Sequence, residues 1–228
     1  MKRDANMIRW KNGFLIHACD SAGGIGNLNC DLLKVPVETT AKYTLRTALM
    51  EVISIGAKPI SASLEFANGP EYVQKAIVEV QKVLDRFSIP VVISTEKNFI
   101  PAQTGIGASV VGFADELLIG GAQKGAEVFV AGLPMVGSDL IKNEDLILSF
   151  EDFLKIRKCE KVGEIIPVGS KGIFEEALLL AKNSEVELKL DSDEEWFHRS
   201  AGPSTCIVFW SSKRPEIEVG MKRIGIFI

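Results

Sequence analysis

The chain has 228 residues and a mass of 24.9 kDa, and 46% hydrophobic with 25% charged residues excludes a disordered polymer and suffices for one large core or two smaller ones. The formal net charge of −4 lends no support to a nucleic-acid partner, although glycine-loop amides, helix N-termini or a bound cation can still create local sites for a polyanion. Cys19, Cys30, Cys159 and Cys206 form no CxxC pair and have only His17 and His198 for company, which argues against structural zinc. With no membrane-length apolar run and a charged N-terminus, the expectation is a cytoplasmic protein with reduced thiols.

In chain order, Gly13 to Ala18 reads as a short buried strand running into the small-residue loop DSAGGIGN. Asp31 to Val35 is a second strand candidate closed by Pro36. Val37 to Ile55 has helical spacing and ends before Gly56. Pro59 to Phe66 alternates as a strand does, and Glu71 to Phe87 carries an apolar stripe after Pro70. Pro90 to Ser94 is a continuous apolar run, the pattern of a central strand buried on both faces. Gly107 to Phe113 and Glu127 to Gly132 read as further strands with GGAQKG between them. Asn143 to Cys159 reads as helical, and IIPVGSKG leads into a helix over 173–181. Val186 to Leu190, Cys206 to Trp210 and Arg223 to Ile228 are strand-like. A boundary falls near residues 133–145, giving an N-terminal unit over 1–138 and a C-terminal unit over 139–228.

Four stretches carry chemistry. Asp20 feeds a carboxylate into a run holding Gly23, Gly24, Gly26 and Asn27. Glycines let backbone N–H groups approach anionic oxygens, and an aspartate can hold Mg²⁺; a glycine turn with a capping Asp explains the same letters. Glu51 is a lone acid in an apolar helical stretch. It is either a metal ligand or a helix-edge glutamate facing solvent or pairing with Arg46. Glu96 and Lys97 follow the PVVIS strand, where ligands sit in open α/β sheets; an ordinary polar loop is the alternative. Gly169, Ser170, Lys171 and Gly172 open a helix and suit an anion, as they equally suit a plain Ser cap. His17 reads as a core or edge histidine, His198 as a surface residue, and Asp191 to Glu195 as a solvated loop.

The order of these pieces resembles the aminoimidazole-ribotide synthase superfamily, which includes thiamine-monophosphate kinase. The likeness is carried by SIGAKP (54–59), TGIGASVVG (104–112), GAQKGAEVFVAG (121–132) and, more weakly, VGSKGIFEEALLLAKNSEVELKLD (168–191). The resemblance implies a two-part α/β (α+β) fold, an N-terminal mixed sheet with flanking helices plus a smaller C-terminal α/β unit. It also implies ATP bound with Mg²⁺, a small-molecule substrate and a homodimer. Asp20, Glu51 and Glu96 match the family's metal-holding acids. Gly23, Gly24, Gly26, Asn27 and Lys97 match phosphate contacts, as do Gly169 to Gly172.

This sequence departs from the family pattern. Two matched acids are Glu rather than Asp, a family asparagine is replaced by apolar residues around Ala48, and Ala126 stands where a "GD" aspartate is usual. These departures fit a short divergent branch such as α-ribazole kinase, or a non-catalytic ATP-binding sensor or scaffold. An ATP-dependent synthase or dehydratase is disfavoured, because the chain ends RIGIFI with no cysteine there.

Overall fold

The computed structural model describes residues 3–99 and 101–228, and these form two compact units. Asp4–Ile53 with Ala57–Glu116 make one; Arg3, Ser54–Gly56 and Leu117–Ile228 make the other. Among the described residues no helix is long and apolar enough to cross a membrane.

The first unit contains β1 (Asn6–Trp10), β2 (Gly13–Gly23), β3 (Ile25–Gly26), β4 (Leu33–Lys34), α1 (Val37–Ser54), β5 (Lys58–Ala67), α2 (Pro70–Leu84), β6 (Val91–Thr95) and β7 (Gly105–Ala114). Five of the strands form a mixed sheet ordered β1-β2-β7-β5-β6, in which only β5 and β6 run parallel, joined by the α2 crossover. α1 forms where expected, and it holds no internal Gly or Pro. Alternate residues of β2, β5 and β7 (Ile16, Ala18, Leu64, Phe66, Ala108, Val110) are buried. Val52 of α1 lies so close to Gly112 that a Cβ there would stand 2.4 Å from it, which places the helix on this face. The opposite face is open, and Ile8, Trp10 and Val92 on it are 54%, 51% and 67% exposed.

That openness corrects one expectation. PVVIS is not a central, two-sided strand but the sheet's edge, β6, bonded only to β5. An edge strand with one bare face can carry a run of valines and isoleucines as readily as a central one, so composition alone does not separate the two. A second correction concerns the glycine loop. Asp20 to Gly23 stay in β2 and pair with β7 through Gly23↔Gly105, so the turn begins only at Gly24.

The second unit contains β8 (Glu127–Ala131), α3 (Gly137–Lys142), α4 (Phe150–Lys158), β9 (Val162–Pro167), α5 (Gly172–Ser184), β10 (Leu188–Leu190), β11 (Ile207–Ser211) and β12 (Lys222–Phe227). Its sheet is ordered β10-β12-β8-β11-β9 and all of its ladders are antiparallel. β8, expected with the N-terminal part, is the middle strand here. The division therefore falls at Glu116/Leu117 rather than at 138/139, and the second unit is comparable in size to the first. Both faces of this sheet are filled. Val128, Val130 and Val208 pack with Ile173, Ala177 and Leu180 of α5, while Phe129 and Phe209 stack at 5.6 Å and are fully buried.

A buried ion pair also belongs to this unit. Arg3 donates to Glu164 (3.1 Å), to the Ile165 carbonyl (2.9 Å) and to Ser54 (2.6 Å). Glu164, fully buried, further accepts from Gly120 N–H (2.7 Å) and Asn183 (2.8 Å). Nearby, Arg157 donates to Gly163 and Val162 carbonyls, and burial followed by repulsion from Arg3 brings its guanidinium down to about 10.

Candidate functional site

On the first unit the site is built by strand register. The ladders bring Gly23, Gly105 and Ala67 into one row; Ser21, Gly107, Glu65 and Ser94 into the next; and Cys19, Ser109, Ser63 and Val92 into a third. Directly paired residues point to the same side, so one end of the open face is small and polar. Ser63 donates to Glu65 (2.8 Å) and meets Ser109 (3.0 Å). Gly107 gives the Glu65 carboxylate its place, since a Cβ at 107 would stand 2.9 Å from an oxygen of it. Glu65 was not foreseen, because an alternating strand gives an exposed acid no special mark.

Asp20 lies on the other, helix-covered face. Burial pushes its carboxyl upward, opposed by hydrogen bonds from Ser21 N–H and the Thr47 hydroxyl of α1. Glu51 is one helical turn beyond Thr47 on the same side of α1, and it is only 7% exposed. A solvent-facing helix-edge position is thereby ruled out for it.

Glu96 does not join them. It follows β6, three strand positions from β2, which at about 4.8 Å per strand is roughly 14 Å before any offset along the strands. Its carboxylate turns back to accept from Asn98 N–H (2.5 Å) and Phe99 N–H (3.2 Å), and these bonds hold it below the usual range. Bonds from a carboxylate to Mg²⁺ are about 2.1 Å, so one ion cannot bridge Asp20 and Glu96 of one chain. Among the described residues no group of three or more His, Cys, Asp or Glu is gathered as a metal site. Lys97 beside Glu96 is exposed.

The glycines divide by role. Gly24 has φ +70° and gives its N–H to the Thr104 carbonyl (2.8 Å). A Cβ on Gly26 would stand 2.1 Å from Thr104 Oγ1 and 2.9 Å from Asp31 Oδ2. Gly24 is therefore required by its backbone conformation and Gly26 by packing, whatever binds nearby. Gly23 faces open space, its Cβ direction being clear to 4 Å, and Asn27 is exposed. What holds this turn is Asp31, which precedes β4 rather than opening a strand. Asp31 accepts from Leu28 N–H, Thr104 N–H and Thr104 Oγ1, each at 2.7 Å, and Asn68 donates to that same hydroxyl at 2.9 Å. Burial alone would raise the Asp31 carboxyl; the Thr104 and Leu28 bonds outweigh it and hold it low.

On the second unit, Gly169 to Gly172 link β9 to α5. Gly172 has φ +83°, and a Cβ there would stand 2.6 Å from the Phe197 carbonyl and 2.9 Å from that of Arg199. Ala201 N–H donates to the Gly169 carbonyl (3.0 Å). This thirteen-residue helix has no side-chain cap, so the plain Ser-cap alternative does not hold, and Ser170 and Lys171 are exposed at its positive end. Ala126 is buried in the core of this unit. The acidic run 191–195 is the exposed loop expected, with surface ion pairs along it. Asp193 pairs with His198 (2.7 Å) and Glu194 with Lys222 (2.6 Å), Trp196 (2.5 Å) and Ser192 (3.0 Å), which brings Glu194 down to about 2.

No family model and no curated protein matches the sequence. Solved structures do. Thiamine monophosphate kinase from Aquifex aeolicus superposes with a TM-score of 0.70 over 98% of this chain and 88% of its own, at 17% identity. The chain has its fold. A structure described as AaThiL complexed with AMPPCP and TMP matches at 0.69 and 16% identity, covering 99% of this chain and 84% of that one. The HypE–HypF complex gives 0.66 and 15% identity, with 99% and 87% covered. Phosphoribosylformylglycinamidine synthase II from Thermotoga maritima gives 0.62 at 12% identity, and there the match spans 37% of the longer chain. The mixed α/β architecture with two sheets, expected from the order of motifs, is thus the observed one.

Proposed function

We propose that the chain is an ATP- and Mg²⁺-dependent phosphotransferase acting on a small molecule, with α-ribazole as the specific candidate acceptor. The observation that carries this reading is the fold match over 99% of the chain to a structure holding AMPPCP and TMP. At motif level it is supported by Asp20, placed by β2 three residues before the open Gly23. Asp20 also fits a cation: its carboxyl is raised by burial, and only Ser21 N–H and Thr47 offset that cost. Mg²⁺ held there would supply charge neutralisation for the phosphates.

The chain's own residues do the rest. Gly23 and the 25–27 stretch offer backbone to phosphate oxygens, and Thr47 orients the Asp20 carboxylate. Ser170 and Lys171, at the uncapped start of α5, offer a hydroxyl, an ammonium and first-turn N–H groups to an anion. In the reaction the acceptor hydroxyl oxygen forms a bond to the γ-phosphorus while the bridging bond to the β-phosphate breaks. ADP departs, and the hydroxyl proton passes to solvent. Positioning and charge neutralisation carry such a step, so no strong base is required of the protein. Glu51 of α1 is a further candidate metal-holding acid, whereas Glu96 and Lys97 belong to a second contact away from Asp20.

We further propose that the open sheet face pairs with that of a second copy as a homodimer. Ile8, Trp10, Ile60 and Val92 on the first unit's mixed sheet, each more than 40% exposed, are more apolar surface than a lone sheet needs to show water. Val92→Lys should shift the sedimentation coefficient from dimer to monomer; a monomeric wild type would remove the proposal.

ATP consumption with Mg²⁺ across α-ribazole, thiamine monophosphate and no acceptor tests the function. Acceptor-dependent consumption is expected, and loss of it in Asp20→Asn with the fold retained. The alternative, a non-catalytic nucleotide sensor, draws support from the buried Ala126 and from Glu96 being committed to its own loop. Calorimetric ATP binding without turnover on any acceptor would favour it.

A further inference from the structure

We propose that the GGAQKG turn (120–125) forms a further anion site with the end of β11, and that it takes the phosphate of a small phosphomonoester with a flat organic part. The cavity there measures about 320 Å³ and lies within the second unit. None of its residues is among those given to ATP, Mg²⁺ or the open sheet face, so the site stands apart from the phosphotransferase reading.

The polar side chains of the lining are Gln123, Lys124 and Ser212, and among the described residues no carboxylate lines the cavity with them. All three are exposed, and among the described residues none of these side chains has a hydrogen-bond or ion-pair partner. The main-chain N–H groups of Gly121, Gln123 and Lys124 are likewise unbonded there. Acids close in sequence are engaged elsewhere: Glu127 pairs with Arg223 (3.3 Å) and Glu216 with Lys161 (2.7 Å). Lys213 and Arg214 follow Ser212, both exposed and neither in an ion pair among the described residues. In a chain of net charge −4 these two loops are locally positive.

A set of bonds holds the turn in shape. Gly120 N–H donates to the fully buried Glu164 (2.7 Å), and the Gly120 carbonyl accepts from Trp210 Nε1–H (3.2 Å). Ala122 N–H donates to the Ser184 hydroxyl (3.2 Å), Gly125 N–H to the Phe227 carbonyl (2.8 Å) and Ala126 N–H to the Gln123 carbonyl (3.0 Å). Gly121 and Gly125, at φ +75° and +92°, take a backbone that other residues reach only with strain. Successive N–H groups on a turn of this kind make a concavity for anions.

Two observations set the ligand class. The unbonded ammonium, amide, hydroxyl and loop N–H groups outnumber the two oxygens of a carboxylate and suit the three of a phosphomonoester. The indole of Trp210 supplies the apolar wall. A Cβ on Gly163 would stand 2.0 Å from its Cζ2 and one on Gly121 would stand 4.0 Å from the same atom, so the ring lies across Gly163 with an edge toward Gly121. Held in this way, it offers a flat ligand a packing surface beside the phosphate. At about 320 Å³ the space is at the low end for small-molecule sites and suits a compact phosphomonoester rather than a nucleotide.

Calorimetry on the full chain without ATP or Mg²⁺ tests the site, with phenyl phosphate as the probe, inorganic phosphate as the bare anion and phenol as the bare ring. Phenyl phosphate should bind, inorganic phosphate more weakly and phenol not at all. Lys124→Gln removes one charge-assisted bond and should weaken phenyl phosphate about 10-fold or more. Its melting temperature should stay that of the wild type, because the side chain is exposed. Ser212→Ala should weaken binding about 3-fold or more. If phenyl phosphate does not bind, or binds Lys124→Gln as tightly as the wild type, the assignment is overturned. Loss of binding in Lys171→Gln but not in Lys124→Gln would place the anion at the start of α5 and overturn it equally. Equal affinity for the two phosphates would strike the flat organic part and identify free phosphate as the ligand.

Discussion

Asp31→Asn isolates what holds the glycine turn. The wild-type carboxylate is acceptor-only and takes three donors at 2.7 Å: Leu28 N–H, Thr104 N–H and the Thr104 hydroxyl. An amide keeps one oxygen, so Thr104 N–H can remain bonded. Its NH₂ group then faces Leu28 N–H, donor against donor. The Thr104 hydroxyl must turn to accept, in competition with Asn68, which already donates to it. Two charge-assisted bonds are lost at about 1.5–3 kcal/mol each, and water replaces part of the Leu28 bond, so about 3 kcal/mol of stability should go. Urea unfolding at pH 7 should show a lower midpoint with an unchanged slope. The pH dependence adds a sign. Because the folded Asp31 carboxyl lies below its ordinary value of 3.8, its contribution is present above that value and fades as pH falls through the folded one. The gap between wild type and variant should therefore be constant near neutrality and close in strong acid. A loss under about 1 kcal/mol at pH 7 would refute the reasoning, since the network would then be dispensable.

Asp20 should behave in the opposite sense. Its carboxyl is raised above 3.8, so the folded state carries a cost at neutral pH that vanishes below that ordinary value. Asp20→Asn should raise the unfolding midpoint at pH 7, gain nothing in strong acid, and abolish any thermal stabilisation by Mg²⁺ with ATP. Gly26→Ala places a methyl 2.1 Å from Thr104 Oγ1 and should cost about 1–3 kcal/mol in urea unfolding. Gly23→Ala, with nothing within 4 Å, should leave stability unmoved while weakening ATP in a calorimeter. Glu164→Gln breaks a fully buried pair with Arg3 and should lower stability by about 3–5 kcal/mol; a melting temperature equal to the wild type would show that Arg3 had found another partner.

Much of the fold was legible in the sequence because local physics wrote it there. The helical spacing of 37–55, the stripe after Pro70 and the small-residue strand at 107–113 each produced the expected element. The candidate site was legible in part. Asp20 and the glycines could be singled out because a carboxylate among glycines is unusual, yet the same letters serve packing. Gly26 proved to be demanded by Thr104 and Asp31, and Gly24 by its positive φ. Asp31, Glu65 and Trp210 carried no sequence signal, since each becomes informative only through a partner distant in the chain.

The sequence by itself determined most element types and the acid that enters the glycine run, which depend on spacing within a few residues. The α/β class came from the order of motifs along the whole chain, and the helix expected over 143–159 is α4 (Phe150–Lys158) alone. Only the tertiary structure decided that PVVIS is an edge, that β8 belongs to the second sheet, and that Glu96 lies three strands from Asp20. Strand order is set by which faces can be buried together over the whole chain, and no local window of residues contains that sum.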